Sequence, residues 1–302
     1  MKPGSFLSLC LTAMLLLSAC GKHRDGGDKA GNDDRPVLAV SILPQRYFAA
    51  RIAGERVRIM VLVGPGQNPH DYEPSPKQMA DLAAAKVWVL SGTEFEIGLQ
   101  PKLEAIFPDL TIIDGTQGVR FRPMEAHEDG DGKNHGDAID RHTWLGHKPA
   151  RIMAGHIRDA LITMDAGNEV LYRQNYRELT ADMDREFGAL RKKLSPLRGK
   201  VVFVYHPAFG YFLDEFGIIQ EAVETGGKEP TPRALNSLIE RAKKENAAAI
   251  FVQAQFPVNT AKTAAAAAGA VLTYLDPLAP DWLANIRFMG EVLSETAGET
   301  DK

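Results

Sequence analysis

Three histidines and one aspartate, His70, His142, His206 and Asp276, stand in four separate loop-like contexts of this chain. His70 lies in Gly64-Pro65-Gly66-Gln67-Asn68-Pro69-His70-Asp71-Tyr72, where Gly and Pro make a loop after a strand-like run. His206 follows Val201-Val202-Phe203-Val204-Tyr205, and Asp276 follows Val271-Leu272-Thr273-Tyr274-Leu275; each precedes a proline. His142 sits in Asp140-Arg141-His142-Thr143-Trp144-Leu145, just ahead of a helical stretch that begins near Pro149. Three imidazoles and a carboxylate suit a borderline divalent ion, Zn2+ first, and together close a tetrahedral shell. A catalytic zinc keeps one position open for water, and no nucleophile and base stand beside these residues. Ion capture is therefore favoured over catalysis.

Each histidine alone is weak ground, because a lone imidazole is more often a satisfied polar side chain than a ligand. His147 is the near rival of His142 for the second position, and His156 falls within a helical stretch. Trp144 is expected to buttress His142, Trp88 to fill a strand core and Trp282 to pack a helix.

The elements that must hold these residues alternate. Apolar runs near 37–42, 57–63, 87–90 and 110–113 are separated by amphipathic stretches, and the second half repeats the pattern. Such alternation predicts an α/β fold of two lobes, each a mostly parallel sheet covered by helices. His70, His206 and Asp276 then share one position, the carboxyl end of a strand, where open α/β sheets bind ligands. One long backbone helix is predicted over 168–194, with Asn168 as N-cap and Pro196 as its stop. Tyr172, Tyr176, Leu179, Met183, Phe187, Leu190 and Leu194 recur at spacings of three and four and mark its apolar face. This divides the chain into an N-terminal lobe at 37–167, the linking helix at 168–194 and a C-terminal lobe at 195–302. The segment 125–140 is rich in acidic residues and Gly, with His127 and His135, and reads as a surface loop.

Composition narrows the function. At 302 residues, 44% hydrophobic and 25% charged, the chain is long enough for two lobes. A net charge of -4 without a basic run offers nothing to nucleic acid. The start, Met1-Lys2 and then an apolar stretch into Leu17-Ser18-Ala19-Cys20, reads as a signal peptide over 1–19. Cys20 is the expected lipidation site, and the polar residues of 20–36 a flexible tether to a membrane. The other cysteine, Cys10, lies within the leader, so the mature domain is expected to hold no disulfide.

The segments Ser41-Ile42-Leu43-Pro44, Gly64 through His70 to Pro74-Ser75-Pro76, Asp140 to Leu145, Tyr205-His206-Pro207-Ala208-Phe209-Gly210-Tyr211-Phe212 and Leu275-Asp276-Pro277-Leu278 fall in one order. Together they resemble the zinc and manganese substrate-binding lipoproteins of ABC importers. The resemblance implies two α/β lobes joined by a long helix, with metal in the cleft between them. It places the metal ligands on His70, His142, His206 and Asp276. Manganese members tend to carry Glu at the third position, so His206 points to Zn2+ ahead of Mn2+. The implied partners are an ABC permease and, through lipid, a membrane; the carrier is expected to be an extracytoplasmic monomer. A manganese or iron receptor and a metal-stabilised surface adhesin remain the rival readings.

Overall fold

Strands of four to six residues, mostly Val, Ile and Leu, build two parallel sheets in the computed structural model. It describes residues 33–124, 139–222 and 231–298, apart from positions 248, 254 and 257. Cys20 and the leader, the tether up to residue 32, His127 and His135 lie outside the described residues.

The first sheet combines β1 (Val37–Val40), β2 (Arg58–Val61), β3 (Ala85–Leu90) and β4 (Thr111–Asp114) in the order β2-β1-β3-β4. Its crossovers are α1 (Leu43–Ala53), α2 (Pro76–Leu82) and α3 (Glu94–Ile106). β1 is buried along its whole length, as a strand between two neighbours and under helices must be. Gln45, fully buried, joins the ends of β1 and β3. Its Oε1 accepts from the Ser41 and Ile42 amides at 2.8 and 3.3 Å, and its Nε2 donates to the Val89 and Leu90 carbonyls. The strand order reverses between β1 and β3, the topological switch point of the sheet.

After α4 (His147–Met164) and α5 (Glu169–Lys193) the pattern returns. β5 (Val201–Val204), β6 (Ile219–Ala222), β7 (Ala249–Val252) and β8 (Val271–Tyr274) pair in the order β6-β5-β7-β8, the same topology as the first sheet. The connections are α6 (Gly210–Asp214), α7 (Pro232–Lys244) and α8 (Val258–Ala268), and α9 (Trp282–Gly298) ends the fold.

α5 has 25 residues, so it runs about 38 Å at 1.5 Å per residue. Tyr172, Leu179, Met183, Phe187 and Leu190 are buried on its inner face, while Tyr176 is half-buried over Gly155. Asn168 holds the N-cap position but caps nothing with its side chain; its Nδ2 donates to Asp165 instead. A short 3-10 turn over Ala166–Asn168 leads into the helix in its place. α9 returns across the molecule to α5 and α1. Trp282 meets Phe48 of α1 edge-on at 5.0 Å, and Gly290 lies so close to Leu190 of α5 that a Cβ would overlap its Cδ2. The largest apolar cluster therefore runs from the first sheet through α5 to α9 without a break. No helix among the described residues is long and apolar enough to cross a membrane.

Candidate metal centre

His70 is carried by the turn after β2. Gly66 has a φ of 73°, a left-handed conformation that favours glycine. Asn68 closes an Asx turn by accepting the His70 amide at 3.1 Å. Downstream, Ser75 and Gln78 form a capping box for α2, and Gln78 Nε2 donates to the Leu62 carbonyl at 2.8 Å. The loop is thus fastened at both feet.

His142 occupies the turn before α4 and is buried, 4% exposed. Its ring Nδ1 and backbone N–H both lie 2.9 Å from Asp140 Oδ1. Asp140, expected as the last residue of an acidic surface loop, is completely buried and belongs to the site instead. Its Oδ2 accepts from Arg122, which also reaches Asp214 on α6. Trp144 meets the His142 ring edge-on at 5.4 Å and donates its Nε1–H to the Pro277 carbonyl. Trp282 Nε1 donates in turn to the Trp144 carbonyl. The turn bearing His142 is so tied to the turn that follows Asp276. His147 is elsewhere: it stacks on Phe187 and bonds Asp184 of α5 at 2.7 Å.

His206 leaves β5 almost fully buried, and Gln253 at the end of β7 brackets its backbone on both the amide and the carbonyl. Phe256 stacks on its ring at 4.4 Å. Burial, then the charges that His142 and His70 can carry, push its pKa well below the ordinary imidazole value. The ring is neutral at physiological pH, the form in which an imidazole can bind a metal ion.

The three imidazoles converge. Nε2 of His206 lies 3.0 Å from Nε2 of His70 and 3.2 Å from Nε2 of His142. A tetrahedral zinc with Zn–N bonds of about 2.0–2.1 Å spaces its ligand atoms by about 3.3 Å, close to this separation. Ligand atoms of the three lie within 4.8 Å of one another; among the described residues Asp276 does not join that group. Its Oδ1 accepts from the Leu278 amide and from Gln255 Nε2, both at 2.9 Å. Asn285 fixes the Asp276 carbonyl.

Sequence reasoning missed the carboxylates behind the rings. Glu94, at the start of α3, has its Oε2 3.1 Å from His70 Nδ1. Burial pushes the Glu94 carboxyl up, but the adjacent His70 ring outweighs that and brings it down to about 2. Asp140 does for His142 what Glu94 does for His70. A carboxylate on Nδ1–H fixes the tautomer that leaves Nε2 as the donor to a metal. Asp140 was within reach of sequence reasoning, two residues before His142. Glu94 was not, because only the crossover from β3 brings it to the loop after β2.

The model of the family described as zinc-uptake complex component A, periplasmic, matches residues 38–296. The chain belongs to this family. A crystal structure of ZnuA, a namesake of the family, superposes with a TM-score of 0.80 at 33% identity, covering 87% of this chain and 99% of that one. The zinc-binding lipoprotein AdcA of Streptococcus pneumoniae is 27% identical over 92% of this chain, which spans 56% of AdcA's length. The manganese ABC transporter substrate-binding lipoprotein PsaA of the same species is 25% identical, over 87% of this chain and 85% of PsaA. The family comprises extracytoplasmic substrate-binding components of metal importers, and its members are receptors, not enzymes.

Proposed function

We propose that this protein is a lipid-anchored receptor that captures Zn2+ outside the cytoplasm and delivers it to the permease of an ABC importer. The observation that carries the reading is the convergence of three imidazole Nε2 atoms at 3.0 and 3.2 Å, two of them backed by carboxylates. His70 and His142 from the lobe at 37–167, and His206 and Asp276 from the lobe at 195–302, are the proposed ligands. Nitrogen-rich sites favour zinc over the harder manganese ion. The zinc-named family and AdcA support that choice. The manganese-named PsaA is the reason Mn2+ is the second cargo to test.

Capture then runs as follows. Neutral His206 meets the hydrated ion, His70 and His142 replace further waters, and Asp276 completes the shell with a negative charge. Glu94 and Asp140 keep the first-lobe rings in the binding tautomer throughout. A Cys20 lipid would hold the receptor near its permease, and a monomer suffices for that task.

Calorimetric titration of metal-stripped protein lacking residues 1–20, with Zn2+ and then Mn2+, tests the reading. Tight one-to-one zinc binding that collapses in His206→Ala is the expected outcome. Weak binding at several sites, untouched by the substitution, would move the metal away from the histidines and end the assignment.

A further inference from the structure

Gln255 lines the same small cavity as His70, His142 and His206, yet no role follows for it from the donor set alone. It lies just beyond β7, two residues after the Gln253 that brackets His206. Its Nε2 is 2.9 Å from Asp276 Oδ1. A carboxylate accepts and does not donate, so the amide nitrogen must face Asp276 and the amide oxygen must face away. That oxygen, Oε1, is buried without a hydrogen-bond partner among the described residues. Leaving a buried acceptor unpaired is unfavourable, and an apolar residue of equal size would avoid it.

We propose that Gln255 is a specificity-determining residue that holds Asp276 to a single free oxygen. The proposal rests on the reading of Asp276 as the fourth ligand. Oδ1 already accepts two hydrogen bonds, one from Gln255 and one from the Leu278 amide, which leaves Oδ2 for the ion. A one-oxygen carboxylate with three imidazoles makes a four-coordinate shell, the number zinc adopts in closed sites. A carboxylate free to give both oxygens would raise the coordination number and the share of oxygen donors. That change favours harder ions such as Mn2+. The unpaired Oε1 faces away from Asp276, placed as an acceptor for water that accompanies the ion into the cavity. Gln255 touches the proposed ligand Asp276, so its effect is exerted through position.

The test compares wild type with Gln255→Leu, which keeps the volume, and Gln255→Ala. Zn2+ and Mn2+ affinities are measured by competition with a chelator. Co2+ serves as a spectroscopic probe of coordination number, and melting of the metal-free proteins verifies folding. Expected is a ratio of zinc to manganese affinity lowered about tenfold, the scale of outer-shell substitutions. The intense tetrahedral Co2+ bands should weaken toward a five-coordinate spectrum in both variants. An unchanged ratio with an unchanged Co2+ spectrum in folded variants would overturn the role of Gln255 while leaving the receptor intact. Failure of the wild type to bind zinc would overturn the receptor reading and this proposal together.

Discussion

At the level of single residues, the proposed site depends on which ring nitrogen faces the histidine cluster and on which form of the ring is neutral. Asp140 is fully buried and takes hydrogen bonds from the His142 ring and from Arg122, so its charge is shared between two partners. Asp140→Asn keeps the shape and removes that charge; zinc affinity should fall about tenfold to a hundredfold in a chelator competition. An unaltered affinity would show that the carboxylate does not set the tautomer. His206 makes a second, independent prediction. Its pKa is lowered in the fold by burial and then by its histidine neighbours, while the unfolded chain keeps the ordinary value near 6.5. Above about 6.5 both states carry a neutral ring and stability is unaffected. Below it the unfolded chain takes up a proton that the folded chain refuses, so metal-free stability is lost as pH falls toward the depressed folded value. The melting temperature of the metal-free protein should drop between pH 7.5 and 5.5 by less in His206→Gln than in wild type. Parallel curves for the two proteins would contradict the lowered pKa.

At the level of elements, each proposed ligand is held by an anchored turn rather than by its own strand. The His70 loop is clamped by Asn68 and the Ser75–Gln78 box, and the His142 turn by Trp144 and Trp282. The scaffold beneath them depends on close helix contact between α5 and α9 at Gly290. Gly290→Ala places a methyl group against Leu190, and overpacking of this kind costs about 1–3 kcal/mol. Thermal melting should register the loss, with zinc stoichiometry unchanged because the site is built from the other ends of the strands. A variant as stable as wild type would mean that the two helices separate freely. The periodicity of α5 was legible in its apolar face, since a 3.6-residue repeat is written locally. The approach of α9 was not, because nothing in its own residues names the helix it meets.

For the whole molecule, two sheets of identical strand order present their carboxyl ends to one site. An ion bound by residues from both sheets stabilises the folded state by mass action. Zinc at a hundredfold excess over its Kd should add about 2.7 kcal/mol. Differential scanning calorimetry should therefore show a clear rise in Tm for wild type and little for His206→Ala. Equal shifts in both would place zinc outside the histidine cluster. The continuous apolar cluster from the first sheet to α9 predicts a single unfolding transition for residues 35–298. Two separated transitions would show that the halves melt independently.

The amino-acid sequence by itself determined the alternation of strands and helices, the long helix, and the candidate residues His70, His142, His206 and Asp276. These are local properties, written in periodicity, in turn chemistry and in the residues that follow strands. Only the tertiary structure decided that His142 and not His147 joins the cluster, that Asp140 and Glu94 stand behind the rings, and that Gln255 grips Asp276. Apart from Asp140, which stands two residues from His142, those contacts join segments remote in the chain, and a hydrogen bond depends on angles and distances that no spacing in the sequence encodes.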